Sequence, residues 1–174
     1  MVDYNKGGAR FASAEMWVII SESPLRWAEI GFMRSSWCPG NCFFRAAGDE
    51  SIGFYDISRL PKATQGAFTW HVYRIAYDSS SGIWRNYIDG TAYGGWSNPS
   101  SAVRIDIGNE VTNNCTILHT TYFGSPSMSS PYAFQYRTSW GQWTTWGTGI
   151  QHADHPPYHN EWLTYAIYIR TWGP

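Results

Sequence analysis

Charged residues, and lysines above all, are scarce in this sequence of 174 residues. Charged residues make up 14% of the chain, 12 Lys+Arg stand against 13 Asp+Glu, and the lysines are Lys6 and Lys62. A chain with so few and so evenly balanced charges does not carry the strongly basic surface typical of nucleic-acid-binding proteins, so no nucleic acid is expected as a partner. No apolar run approaches the roughly 18 residues that a membrane-spanning helix needs, so no membrane span is expected.

Helical periodicity is also missing, because no long stretch combines helical spacing with capping residues. Only 58–65 is compatible with one short helical turn. Alternation of apolar and polar residues dominates instead, between clusters of Gly, Pro, Asn and Ser. The strand segments predicted from it are 11–20, 25–33, 42–46, 51–57, 70–77, 83–88, 103–111, 115–122, 133–138 and 162–171. Many short strands at this spacing predict one all-β domain over 1–174, an antiparallel β-sandwich of jelly-roll type.

The alternation also assigns side chains to the two faces of each strand. It places Trp27, Glu29, Glu110, Trp162 and Tyr168 on the faces that point away from the core. Glu29 and Glu110 each have a glycine two positions away, which leaves room for another backbone to approach. If these strands share one sheet, the aromatic rings surround two carboxyl groups in a groove.

Two carboxyl groups in one groove suit acid–base chemistry. One of them stays protonated and acts as a general acid, while the other acts as a base or nucleophile. Like charges held close together separate the two titrations further. The alternative is that Glu29 and Glu110 are ordinary solvent-facing strand residues.

Three short segments resemble the neprosin family. The segments 13–19 (Ser-Ala-Glu-Met-Trp-Val-Ile) and 27–32 (Trp-Ala-Glu-Ile-Gly-Phe) are similar to a strand of that family followed by its Glu-x-Gly-aromatic strand. The segment 107–111 (Ile-Gly-Asn-Glu-Val) resembles the later Gly-Gly-Glu-Val strand, with Asn109 in place of the second glycine. The close pair of cysteines that follows the first Glu is also similar in placement.

The resemblance implies a concanavalin-like sandwich that acts as a glutamic endopeptidase at acid pH. It implies that Glu29 and Glu110 are the catalytic pair, one deprotonating water while the other polarises the scissile carbonyl. Glu15, Trp27 and a set of Trp and Tyr side chains would then line the groove for a polypeptide substrate. No cofactor is implied.

A second resemblance concerns a central hairpin. The segments 71–77 and 84–90, joined by a Ser/Gly turn and ending in Tyr-Ile-Asp-Gly, look like the hairpin of laminin-G-like and other concanavalin-like domains. Many such domains bind glycans or proteins and catalyse nothing. A glycan-binding module and a structural subunit of an extracellular assembly, able to self-assemble through edge strands, therefore stay open as alternatives.

Aromatic residues near the C-terminus allow a glycan platform. Exposed indole and phenol rings stack on sugar faces, although tryptophans also cap the cores of sandwiches. The candidate rings of this platform are Tyr132, Tyr136, Trp140, Trp143 and Trp146. The rings predicted to bind a substrate, besides Trp27, are Trp140, Trp143, Trp162 and Tyr168. Jelly-roll glycoside hydrolases also use two carboxyl groups, so the pair of glutamates does not indicate whether a peptide bond or a glycosidic bond is cut.

The potential metal ligands lie in a loop with two prolines. His152, Asp154, His155 and His159 carry ligand-type side chains, but the prolines favour an extended polar loop, and we assign no metal.

The sequence contains three cysteines, an odd number. Cys38 and Cys42 lie close enough in sequence for a tight turn to allow a disulfide, whereas Cys115 has no obvious partner. The composition, low in Lys and rich in Ser, Thr, Gly and aromatic residues, favours an extracellular, secreted protein.

Overall fold

The computed structural model describes residues 11–35, 38, 42–63, 69–98, 101–111, 121–125, 134–136, 143–146, 159–164 and 168–172. The predictions for Cys115, Trp140, His152, Asp154 and His155 lie outside these residues. Within the part of the chain that is described, we find no helix with the length and apolar character that membrane crossing requires.

The described residues form strands joined in antiparallel sheets. The elements are β1 (Phe11–Glu22), β2 (Leu25–Ser35), β3 (Cys42–Asp49), β4 (Phe54–Ala63), β5 (Tyr73–Asp78), β6 (Ile83–Ile88), β7 (Thr91–Ser97), β8 (Arg104–Val111), β9 (Thr121–Gly124), β10 (Gln135–Tyr136), β11 (Thr144–Thr145), β12 (His159–Thr164) and β13 (Tyr168–Trp172), with a 3-10 turn at Glu50–Ile52. Each pairing between them is antiparallel. The predicted class, an all-β antiparallel sandwich, is confirmed.

The chain divides into two compact units, Met1–Thr112 and Asn113–Pro174. The first unit contains a five-stranded sheet in the order β4-β3-β2-β1-β8 and a three-stranded sheet in the order β5-β6-β7. The second unit contains the three-stranded sheet β12-β13-β9 and the two-stranded sheet β10-β11. The single domain and the jelly-roll connectivity stay predictions.

The two sheets of the first unit pack face to face, with β2 against β5 and β6. Apolar residues at alternating positions of both sheets form the shared core: Val18, Ile20, Ala28, Ile30, Phe43 and Leu60 from one sheet, and Ile75, Trp84 and Ile88 from the other. Burying each large side chain of this kind stabilises the fold by about 1.5–3 kcal/mol. This sandwich core holds the five-stranded sheet in place from one side.

The continuous apolar run at the end of β1 is explained by burial of both its faces. Ile19 and Ile20 point to opposite sides of the sheet, and their exposed fractions are 6% and 3%. A bulge between Ile19 and Ser21 then shifts the register against β2. Strands covered on both faces lose their alternation, as the sequence does here.

Two sequence predictions fail in the first unit. The segment that was expected to allow a helical turn at 58–65 continues β4 as far as Ala63. The strand β7 was not predicted, because its Gly94 and Gly95 resemble a loop. It nevertheless pairs with β6 through a turn at Asp89 and Gly90, whose φ angles of 50° and 81° are those of a tight hairpin.

The predicted last strand, 162–171, is wrong in the second unit, because the structure places two strands there. β12 and β13 pair as neighbours, with Trp162 opposite Ile169 and a bulge after Trp162. Leu163, an apolar residue of β12, is 42% exposed. The alternation of apolar residues runs through the segment without a Gly or Pro, so the sequence does not mark the reversal.

Candidate active site: the carboxyl face of the five-stranded sheet

The register of three strands brings three glutamates to one face of the five-stranded sheet. Glu15 on β1 lies opposite Gly31 on β2 and opposite Gly108 on β8. Glu29 pairs with Trp17, and Glu110 pairs with Ser13, so both lie diagonally next to Glu15. Paired residues and those two positions away share a face. We call this face, which lies opposite the sandwich core, the carboxyl face.

Two of these glutamates are deeply buried. The exposed fractions are 2% for Glu15, 1% for Glu29 and 4% for Trp27, whereas Glu110 is half-buried. Glu29 and Trp27 point away from the sandwich core, as the alternation predicts. The expectation of an open, solvent-facing surface is corrected, however, because Glu15, Glu29 and Trp27 are almost fully buried. Burial of an ionised carboxyl group is costly, so protonation states are decisive here.

Glu15 has two unlike carboxyl oxygens. Its Oε1 accepts a hydrogen bond of 2.6 Å from the hydroxyl of Ser13, which is 2% exposed. Its Oε2 is also buried, and a side-chain hydrogen bond joins Glu15 to Glu29. Burial raises the pKa of Glu15 well above its ordinary value, and the charge of Glu29, the hydrogen bond with Glu29 and the charge of Glu110 raise it further. The group is therefore a neutral carboxylic acid over a wider pH range than an exposed glutamate.

The two glycines beside Glu15 have different roles. A Cβ on Gly31 would lie 2.4 Å from the carbonyl oxygen of Ala14 and 2.5 Å from Cβ of Glu15. Gly31 therefore lets β1 and β2 approach closely, and the space is already filled by β1. A Cβ on Gly108 would meet nothing nearer than the Trp17 ring at 4.0 Å. Only the Gly108 side has the open space that the sequence predicted for both glycines.

Tyr55 on β4 joins the carboxyl face, and the sequence analysis did not single it out. It lies opposite Gly48, and its ring centroid is 6.2 Å from that of Trp27. Burial raises the pKa of Tyr55, and the charges of Glu29 and Glu110 raise it further. The carboxyl groups of β2 and β8 thus act on the same hydroxyl group, although β1 lies between these strands. Its place in a predicted strand was the only sequence signal for Tyr55.

Trp27 is packed against the backbone of β3. A Cβ on Gly48 would lie 1.9 Å from Cη2 of Trp27, so the indole ring occupies the space above that glycine. Replacing Gly48 would displace the ring. Trp27 is therefore placed beside Glu29 by the strand alternation and fixed there by the missing side chain of Gly48.

A buried amide supports Glu29 from the side of the sandwich core. Nδ2 of Asn86 on β6 donates a hydrogen bond of 3.2 Å to the backbone oxygen of Glu29. Asn86 is 2% exposed, and its Oδ1 has no hydrogen-bond partner among the described residues. The bond connects the three-stranded sheet to the strand position that carries Glu29.

The cysteine pair closes one end of the same face. Cys38 and Cys42 are joined by a disulfide, with their Cα atoms 6.0 Å apart. They pack with Met33, Phe44 and Ala46 in a second apolar cluster. The disulfide links the end of β2 to the start of β3.

The remaining predicted binding residues belong to other sheets. Trp143 and Tyr136, in or beside the β10–β11 pair, are 42% and 39% exposed. Trp162 and Tyr168 are half-buried and do not share a face, because Trp162 pairs with Ile169, the neighbour of Tyr168. None of the four lies in the sheet that carries Glu15, Glu29 and Glu110.

Of the four potential metal ligands, His159 is the one that lies among the described residues. The ring of His159 lies 5.5 Å from that of Trp172. Among the residues with described positions, no group of three or more His, Cys, Asp or Glu side chains is arranged to hold a metal ion.

No protein-family model matches this chain, and no curated protein matches it. The likeness to the neprosin family therefore rests on the three short segments alone.

Proposed function

We propose that this chain is a secreted hydrolase of the glutamic peptidase type, in which Glu29 and Glu110 act as a pair on a polypeptide substrate. The observation that supports this most is the register of β1 with β2 and β8, which brings both glutamates to one face of the five-stranded sheet, on the strands that flank β1. The disulfide between Cys38 and Cys42 suits a secreted protein.

The chemistry needs one ionised and one protonated carboxyl group. The ionised group takes a proton from water while the water oxygen forms a bond to the scissile carbonyl carbon. The protonated group donates a hydrogen bond to the carbonyl oxygen, on which negative charge develops. When the C–N bond breaks, the amine nitrogen leaves with a proton from the acid, and the other product is a carboxylic acid.

The buried surroundings favour this chemistry. Apolar and aromatic neighbours such as Trp27 lower the local dielectric constant, which strengthens each hydrogen bond made to the developing charge. Burial also favours the protonated form of a carboxyl group, as the raised pKa of Glu15 on the same face illustrates. We therefore expect activity at acid pH that declines as both groups ionise.

The first test is digestion of an unfolded protein substrate between about pH 2 and 6, the range for a coupled carboxyl pair. Glu29→Gln and Glu110→Gln keep the side-chain volume and remove the titrating group, so each should abolish cleavage with little change in melting temperature. Glu22→Gln is the matched control, since Glu22 lies on β1 with a 59% exposed side chain paired to Arg104. A wild-type chain that cleaves nothing in this range contradicts the proposal.

A glycan-binding module is the second candidate, and the exposure of two rings supports it. Trp143 and Tyr136 are the exposed aromatic residues in and beside β10 and β11. This candidate predicts binding on a glycan array that Trp143→Ala weakens and Glu29→Gln leaves unchanged. Cleavage of the protein substrate would be absent at every pH.

A further inference from the structure

The three-stranded sheet of the second unit carries aromatic and charged side chains on one of its faces. Tyr168, Arg170 and Trp172 alternate along β13, so their side chains point to the same side of the sheet. The register of β13 with β9 and β12 adds the residues that lie opposite them: Tyr122, Glu161 and His159. We call the face formed by these six side chains the aromatic face.

The rings of the aromatic face form two groups. Tyr122 and Tyr168 stack on each other, with their ring centroids 6.0 Å apart. The rings of His159 and Trp172 lie 5.5 Å apart. Tyr168 and Trp172 are four residues apart on one strand, so the two groups are separated by about 13 Å. A ligand that contacts both groups must therefore be longer than one sugar ring or one amino-acid side chain.

An ion pair lies between the two groups of rings. The guanidinium of Arg170 is paired with the carboxylate of Glu161 on β12, and its Cζ lies 4.9 Å from the ring centroid of Trp172. The two charges of this pair cancel, whereas its N–H groups and carboxylate oxygens offer donors and acceptors of hydrogen bonds. The pair therefore suits a ligand that is uncharged and polar better than a polyanion.

The aromatic face is open to solvent. Tyr122 is 42% exposed, and the side chains of Glu161 and Arg170 are 40% and 38% exposed. The other residues that the described pairing places on this face are Gly124 and Thr164, neither of which has a large apolar side chain. The face thus combines flat rings with polar groups, and it lacks, among these residues, the aliphatic patch that marks many protein interfaces.

We propose that Tyr122, Tyr168 and Trp172 bind an uncharged oligosaccharide chain, whose hydroxyl groups bond to the ion pair between the two groups of rings. Sugar rings have flat C–H faces that stack on aromatic rings, and their hydroxyl groups both donate and accept hydrogen bonds. This site differs from the exposed ring of Trp143, which belongs to the β10–β11 sheet. It also does not depend on catalysis at the carboxyl face, so its failure would leave the proposed function standing.

Native gels that contain a soluble, uncharged polysaccharide test the proposal. The probes are hydroxyethyl cellulose, arabinoxylan, galactomannan, mixed-linkage β-glucan and dextran, and we expect at least one of them to slow the migration of the wild-type chain. Tyr122→Ala and Trp172→Ala should each weaken this binding by about tenfold or more, as aromatic residues at the centre of a binding site do. Tyr122→Phe keeps the ring and should bind nearly as wild type does. Trp70→Ala is the matched control, because Trp70 is a 43% exposed ring of the first unit.

Several outcomes would overturn the proposal. One is a wild-type chain that none of the five polysaccharides slows, including a chain that gels with heparin or gelatin slow instead. Another is binding that Tyr122→Ala and Trp172→Ala leave at wild-type strength, or that Trp143→Ala alone abolishes. Melting temperatures show whether a loss of binding comes from unfolding.

The length of the site is tested with the wild-type chain alone. A free tetrasaccharide of the polysaccharide that binds can contact both groups of rings, whereas its monosaccharide can contact one. The tetrasaccharide should therefore compete at a concentration lower by about tenfold or more. Equal potency of the two sugars would overturn a site that spans the aromatic face.

Discussion

The two faces of the five-stranded sheet are built from the same strands and have opposite chemistry. The face towards β5, β6 and β7 presents Val18, Ile30 and Phe43 to the sandwich core. The carboxyl face presents Glu15 and Glu29, at positions that alternate with those apolar residues along β1 and β2. On both faces these named side chains are almost completely buried.

The two faces make opposite contributions to the stability of the fold. Burial of the apolar face is favourable in proportion to its area. Burial of Glu15 and Glu29 is unfavourable, because each carboxyl group must lose its hydration, share a proton or find a donor. The fold needs the first face, whereas the second carries the proposed site. The comparison leads to three predictions about stability.

The largest effect is expected on the apolar face. Phe43 is 1% exposed and packs in the core between the two sheets. Phe43→Ala removes apolar contacts and leaves a cavity, so it should lower the free energy of unfolding by about 3–5 kcal/mol. Urea denaturation measures the change. A loss below about 1 kcal/mol, the range of a surface substitution, would mean that this face does not carry the core.

A smaller effect separates the two glycines beside Glu15. The Cβ of Gly31→Ala would overlap the backbone of β1, so we expect a loss of about 1–3 kcal/mol in the free energy of unfolding. Gly108→Ala meets open space and should be neutral, or stabilising by roughly 0.5 kcal/mol, because alanine loses less backbone entropy than glycine. Thermal melts of the pair test this, and equal melting temperatures would argue against close approach at Gly31.

The pH dependence of stability sharpens the comparison further. Unfolded Glu15 titrates near its ordinary pKa of 4.5, and folding raises that pKa. Above pH 4.5 the folded chain therefore binds more protons at Glu15 than the unfolded chain does. The contribution of Glu15 to stability is complete below pH 4.5, and it is lost as the pH rises through the pKa of Glu15 in the folded chain. One proton gives a slope of at most about 1.4 kcal/mol per pH unit.

Urea denaturation of wild type and Glu15→Gln across this pH range isolates that slope, because the amide does not titrate. The difference in unfolding free energy between the two should change in favour of the variant as pH rises. Parallel curves would show that Glu15 titrates normally in the fold.

Much of the carboxyl face was accessible from sequence. Alternation alone put Trp27 and Glu29 on one face of β2, and Glu110 on one face of β8. The Asp89–Gly90 pair marked a turn that the structure contains. Where glycines interrupt a strand, as in β7, or where alternation continues through a reversal, as between β12 and β13, the local pattern was misleading.

The sequence by itself determined which side chains share a face within β1, β2 and β8, because a period of two depends only on the local backbone. Tertiary structure alone decided that Glu15 lies between Glu29 and Glu110, since the register of β1 with β8 joins residues almost a hundred positions apart. It also decided that Glu15 and Glu29 are buried and that Tyr55 lies on the same face of the sheet. Burial and the raised pKa of Glu15 come from neighbours distant in the chain, and no local pattern encodes those neighbours.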